Sequence, residues 1–420
     1  MSKKSRYSFL AAGFVLATLA GCTPGGSGGD SGKTEIKFIN GFTGGDGDYM
    51  TKIVNDFNES QDEYTIVQSQ EKEHYTKFKS GDYHLVVMHE TNLETYQKDQ
   101  LIQEAGPFME AAGISEDDFN EAGIQSGLIE EQMFGVPLDI HPLTMFYNEE
   151  LVQEAPTDYE QLKQLGETLQ SENSNLYAFG LPSTGLTTFY FTVAAAQNNI
   201  DLAKEGYLNF TDDAYADALM QYHSMIFEDN VSPEKLGLDG EFQAFMKSAD
   251  DGAKQTAVTM TGPWYYQAVK EKYGDSLGIG KMPTLFETPA TTGNAHTIAV
   301  AASVDDDAIK DGIAEFLTFM YTPENLANWA ESGQTVTHLE TLDYISEDPE
   351  KYDLANVNQE QLEMYTPAPR VYQFDEQMRY MNEVVFTKLT NEPNLTKEDL
   401  MKELEKATKA SKQVADTQPE

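Results

Sequence analysis

A strand, an amphipathic helix and a second strand follow one another where the patterned chain begins, and that order restricts what can be built around it. In residues 34–39, Ile36 and Phe38 alternate with charged residues, the period of a strand. A glycine-rich loop covers residues 41–47. Met50, Ile53, Val54 and Phe57 then recur at helical spacing, so one helix face is apolar. Residues 84–88 run His-Leu-Val-Val-Met, a short apolar run suited to a strand buried on both faces, as in a parallel sheet. This is a βαβ unit. Residues 160–170 and 215–227 read as helices, and residues 256–260 and 298–301 as strands. Ile313, Phe316, Leu317 and Met320 predict an amphipathic helix that Pro323 ends, and Leu326 and Trp329 mark a short helix after it. The class predicted is α/β with mainly parallel sheets. With 420 residues the chain has room for two or three domains.

The N-terminal residues point to a location. Lys3, Lys4 and Arg6 form a basic head, residues 9–20 are apolar, and Leu19-Ala20-Gly21 are small or apolar. Together they make a secretory signal, too short to span a bilayer permanently. Leu19-Ala20-Gly21-Cys22 resembles a bacterial lipobox, which implies removal of residues 1–21 and lipidation of Cys22, the only cysteine. Residues 22–33 would then be the lipidated residue and a flexible Gly/Ser tether, and residues 411–420 a polar tail. A net charge of −42 repels nucleic acid and anionic lipid, so both are excluded as partners. One cysteine permits no disulfide within the chain, so stability must come from a packed core. A monomer is expected.

Three later segments carry a second resemblance. The first runs Phe134-Gly135-Val136-Pro137-Leu138-Asp139 through His141-Pro142 to Tyr147-Asn148; the second is Met260-Thr261-Gly262-Pro263-Trp264. The third is Gly293-Asn294-Ala295-His296 with the later Met320-Tyr321-Thr322-Pro323-Glu324. In this order the chain resembles the extracellular solute-binding proteins of bacterial ABC transporters, in the maltose-binding-like family of carbohydrate receptors. The resemblance weakens over residues 105–129 and after Asp343. It implies a two-lobed periplasmic-binding-protein-like fold of type II, with several hinge segments crossing beside a central cleft. Lobe one would hold residues 34–139 and 295–337, and lobe two residues 140–294 and 338–410. The function implied is capture of a sugar or oligosaccharide by hinge closure, at the outer face of the membrane, for delivery to an ABC permease.

A sugar offers apolar C–H faces to aromatic plates and hydroxyls to short polar side chains. In doubly wound sheets such residues stand on loops after strand C-terminal ends. Trp264 follows a strand and a Gly-Pro turn, and by resemblance it stacks on the ligand. Phe42, Thr43 and Asp46 belong to the glycine-rich loop, where backbone can approach a ligand closely. Met88, His89, Thr91 and Asn92 belong to the loop expected after the second strand. Asp139 and His141 stand at the first crossing and His296 at the second; Phe189 and Tyr372 are aromatic candidates from the other lobe. Trp329 reads as core. The seven histidines show no close metal-ligand spacing, so neither metal nor cofactor is expected. Two alternatives stay open. One is a secreted glycoside hydrolase, which needs a pair of opposed carboxylates. The other is a receptor of the same fold for a peptide, polyamine or other non-sugar solute.

Overall fold

The computed structural model describes residues 32–419. The signal-like segment, the lipobox and Cys22 lie outside the described residues. Nine strands matter here: β1 (Thr34–Asn40), β2 (Tyr64–Gln70), β3 (Leu85–His89), β4 (Val136–Pro142), β5 (Thr144–Asn148), β6 (Val258–Thr261), β7 (Leu277–Gly280), β8 (Thr291–Ala301) and β9 (Thr335–Val336). The large sheet runs β9-β4-β8-β3-β1-β2, and a smaller one runs β6-β5-β7.

The opening unit forms as its pattern predicts, with one strand more. The helix Gly47–Ser60 buries Met50, Ile53, Val54 and Phe57. It leads not to β3 but to β2, which pairs in parallel with β1 at the sheet edge. Only Ile66 of β2 is fully buried, so this strand carries no continuous apolar run to betray it. β3 is apolar from Leu85 to Met88 and lies on the other side of β1, also in parallel.

The expectation of mainly parallel sheets is corrected. β8 runs antiparallel to both β3 and β4, and β9 is antiparallel to β4. In the small sheet both pairings are antiparallel. Burial on two faces makes a strand uniformly apolar in either direction, so composition could not reveal this.

Two hydrophobic cores result, and the chain folds as two α/β lobes. The first core holds Ile36, Phe38, Val86, Val136, Ile298, Phe316 and Trp329. The second holds Met145, Phe179, Tyr190, Leu219, Val258, Met378 and Leu404. The chain leaves the first sheet by β4, turns at Leu143 into β5, and returns by β8. The helix Leu339–Ser346 still packs on the first core through Leu342 and Ile345, while Ala368, Val371 and Phe374 belong to the second. A third, small cluster joins Phe146, Phe242, Phe245 and Tyr266 with Leu354.

Candidate functional site

The site begins with strand register. His89 on β3 stands opposite His296 on β8, and His296 stands opposite Asp139 on β4. Neighbouring strands lie about 4.8 Å apart, so these three residues form a row across the sheet. His141 lies two residues beyond Asp139 and therefore on the same face. The β4–β8 register shifts just after His296: Thr297 pairs with Pro137, leaving Leu138 as the extra residue. Bulges re-aim side chains in this way. The row starts at the C-terminal end of β3 and His141 stands near the C-terminal end of β4, where open α/β sheets present ligand sites.

Asp139 is completely buried and holds the row together. Nδ1–H of His141 donates to Oδ1 at 2.9 Å, and Nδ1–H of His296 approaches both oxygens at 3.0 and 3.1 Å. The indole Nε1–H of Trp329 donates to Oδ2 at 2.7 Å. Burial alone would raise the carboxyl pKa, but the His296 and His141 imidazoles override it and hold Asp139 below the usual carboxylate range. Trp329 is thus core, as its helix pattern implied, with its N–H fixing the carboxylate. The His141 and His296 rings lie with centroids 4.2 Å apart, and His89 and His296 with centroids 4.8 Å apart. Burial and neighbouring imidazoles depress the imidazolium forms, taking His141 down to about 4 and His89 well below its ordinary value.

These rings floor a cavity of about 260 Å³. From the first lobe come Phe42, Asp46, His74, His89, His296 and Gln334. Phe42 meets His296 edge-on at 4.9 Å and packs on Trp329 at 4.6 Å. Burial raises the Asp46 carboxyl pKa, with the His296 charge opposing, and Gln334 donates to it at 3.4 Å. Burial lowers His74 to about 4.

The facing wall comes from the second lobe. Trp264 lies in the turn Pro263–Tyr265, directly after β6, and Phe189 in the first turn of the helix Thr187–Ala196. Their rings sit 5.8 Å apart. A Cβ at Gly262 would fall 2.0 Å from the Trp264 ring, so only glycine lets the indole lie back on its own backbone. Tyr265, next in the turn, stacks on Phe242 with centroids 3.8 Å apart and planes 4° from parallel. Phe242 belongs to the helix Gly240–Phe245, which therefore braces the wall that carries Trp264. Where Gly45 of the first lobe crosses the cleft edge, a Cβ would lie 3.5 Å from Gln267. Among the described residues, no Lys or Arg lines the cavity.

Of the residues singled out in the sequence, the structure brings Phe42, Asp46, His89, His141, Phe189, Trp264 and His296 to one cavity. It places the others elsewhere. Thr43 is exposed beside the cavity, and Met88 is sealed in the first core. Asp139 lies behind the imidazoles. The residues after β3 form no loop: the helix Glu90–Lys98 starts at once and buries Thr91 and Asn92 in its first turn. There Thr91 accepts from Asn294 at 3.1 Å, and Asn92 donates to Asp375 at 3.4 Å. Tyr372 is buried with its hydroxyl on Asp99, 3.0 Å away. Asn92 and Tyr372 thus tie that first-lobe helix to the segment following Val371, which packs on the second core. His74, Tyr75 and Gln334 went unnoticed. The first two follow β2, so finding that strand would have exposed them.

The family of bacterial extracellular solute-binding proteins matches residues 52–351, and the chain belongs to it. The sn-glycerol-3-phosphate-binding periplasmic protein UgpB of Yersinia pestis is 22% identical over 333 residues, covering 70% of this chain and 72% of that relative. Among solved structures, UgpB from Mycobacterium tuberculosis in complex with glycerophosphocholine superimposes with a TM-score of 0.77 at 15% identity, over 92% of this chain and 100% of that one. The sugar-binding protein MalE from Xanthomonas citri gives 0.74 at 16% identity, over 90% and 98%. The two-lobed fold is thereby shared, and family and neighbours alike are binding proteins.

Proposed function

We propose that this chain captures a small, uncharged sugar in the cleft by hinge closure and presents it to the membrane subunits of an ABC importer. The observation that carries the reading is the two-sided wall. Trp264 and Phe189 from one lobe face imidazoles, Asp46 and Gln334 from the other across a cavity to which no Lys or Arg among the described residues contributes. The aromatic side matches C–H faces, and the polar side matches hydroxyls. The volume, about 260 Å³, lies just below the usual span of ligand pockets, so a small sugar fits better than a long glycan.

Closure follows from differential contact. A ligand touching both walls stabilises the closed form, and one touching a single wall shifts nothing. The first lobe takes residues 34–139 and 295–346, since Leu342 and Ile345 pack on its core, and the second takes residues 140–294 and the C-terminal segment from Ala368. The chain acts as a monomer without turnover, held at the outer membrane face through lipid on Cys22. A thermal-shift panel of monosaccharides and disaccharides, with peptides and polyamines alongside, tests the reading. A sugar should raise the melting temperature by mass action; a response confined to peptides or polyamines would replace the assignment.

A further inference from the structure

The spacing of the histidines along the chain hides their arrangement in space. Three strands bring His89, His141 and His296 together so that one ring nitrogen of each lies within 4.8 Å of the others. All three rings spend Nδ1 on an oxygen. His141 and His296 use Asp139, and His89 uses the Tyr75 hydroxyl at 2.9 Å. Among the described residues, that leaves Nε2 of each as the unshared nitrogen, on rings that line the cavity. An imidazole whose other nitrogen is held by a carboxylate or similar acceptor is fixed in tautomer and orientation and is a stronger metal ligand.

We infer that His89, His141 and His296 form a three-imidazole site for a divalent transition ion of the Zn²⁺ type, its remaining position open to the cleft. Three nitrogens suit such an ion better than Ca²⁺ or Mg²⁺, which take oxygen ligands. Tetrahedral bonds of about 2.0–2.1 Å place ligand nitrogens about 3.3 Å apart, so the rings draw inward on binding. Asp139 is the positioning residue for two ligands, and Trp329 fixes Asp139. Asp46 and Gln334 border the same cavity, where an oxygen of a bound molecule can complete the coordination.

This site does not depend on which solute the cleft carries, and its test uses the metal alone. The tag-free chain, with no sugar present, is titrated with ZnCl₂ by calorimetry and then loaded with Co²⁺ for optical spectroscopy. One equivalent and the visible bands of tetrahedral Co²⁺ are expected. His89→Ala and His296→Ala should each weaken uptake by about tenfold or more, and Asp139→Asn by about 10–100-fold. Equal uptake by wild type and variants would mean scattered surface carboxylates and would overturn the site, as would no uptake. Because buried variants can misfold, X-ray absorption of the Zn²⁺-loaded wild type gives an independent count. Three imidazole nitrogens support the site, and an all-oxygen shell refutes it. A sugar-binding failure would leave these results standing.

Discussion

Glu241 provides a prediction whose size follows from its surroundings. It is fully buried in the helix that braces the Trp264 wall, and neither carboxyl oxygen has a hydrogen-bond partner among the described residues. Burial, reinforced by the nearby Asp239 charge, pushes its pKa from 4.5 up to about 8. The sign is that of an acid kept protonated by folding. Below pH 4.5 both states hold the proton and the site is neutral to stability. Between 4.5 and 8 the unfolded chain releases the proton while the fold retains it, so stability falls as pH rises. At about 1.4 kcal/mol per pH unit the cost reaches about 4 kcal/mol at pH 8. Glu241→Gln keeps the shape and removes the titration. Its buried amide has an orphan cost of about 1–3 kcal/mol, which does not vary with pH. Urea unfolding of both proteins at pH 5, 6, 7 and 8 isolates the term, because the other charges cancel between them. Relative to wild type, the variant should gain about 3–4 kcal/mol between pH 5 and pH 8. A difference constant across that range would refute the reasoning.

Other sites give sharper local outcomes. Asp139→Asn leaves an N–H of Trp329 or of a histidine without an acceptor and removes the buried charge, so calorimetric unfolding should show a loss of about 3–5 kcal/mol at pH 7. The depressed Asp139 pKa adds stability above the ordinary carboxyl range that is lost as pH falls below it, so the gap between these two proteins should narrow on acidification towards pH 3. Trp264→Ala removes the plate from the second-lobe wall and should weaken sugar binding by about tenfold or more, about 1.4 kcal/mol, in isothermal titration. Unchanged affinity would take Trp264 out of the site. Gly262→Ala drives a methyl group into the same indole and should weaken binding in the same assay while wild-type Trp264 is still present.

The sequence made local chemistry readable and long-range geometry opaque. Trp264 could be placed because a strand, a Gly-Pro turn and an aromatic are consecutive. Phe42 and Asp46 could be placed because their loop follows a strand of clear alternation. The sequence offers His89 as a loop residue after a strand and His141 and His296 as residues of two separate crossings, yet their union is invisible there, since it depends on the order β3-β8-β4 and on one extra residue at Leu138. Asn92 and Tyr372 misled for a related reason. A polar or aromatic residue near a cleft looks the same whether it meets a ligand or ties two lobes together. β2 escaped notice because an edge strand with one buried side chain lacks the apolar run that marked β3.

The account rests on closure driven by contact with both walls. Small-angle X-ray scattering of the chain, alone and saturated with the sugar selected by thermal shift, measures that closure directly. The radius of gyration should fall on binding in the wild type, and in Trp264→Ala the same fall should need about tenfold more sugar. Identical wild-type curves with and without a saturating sugar would contradict the hinge mechanism.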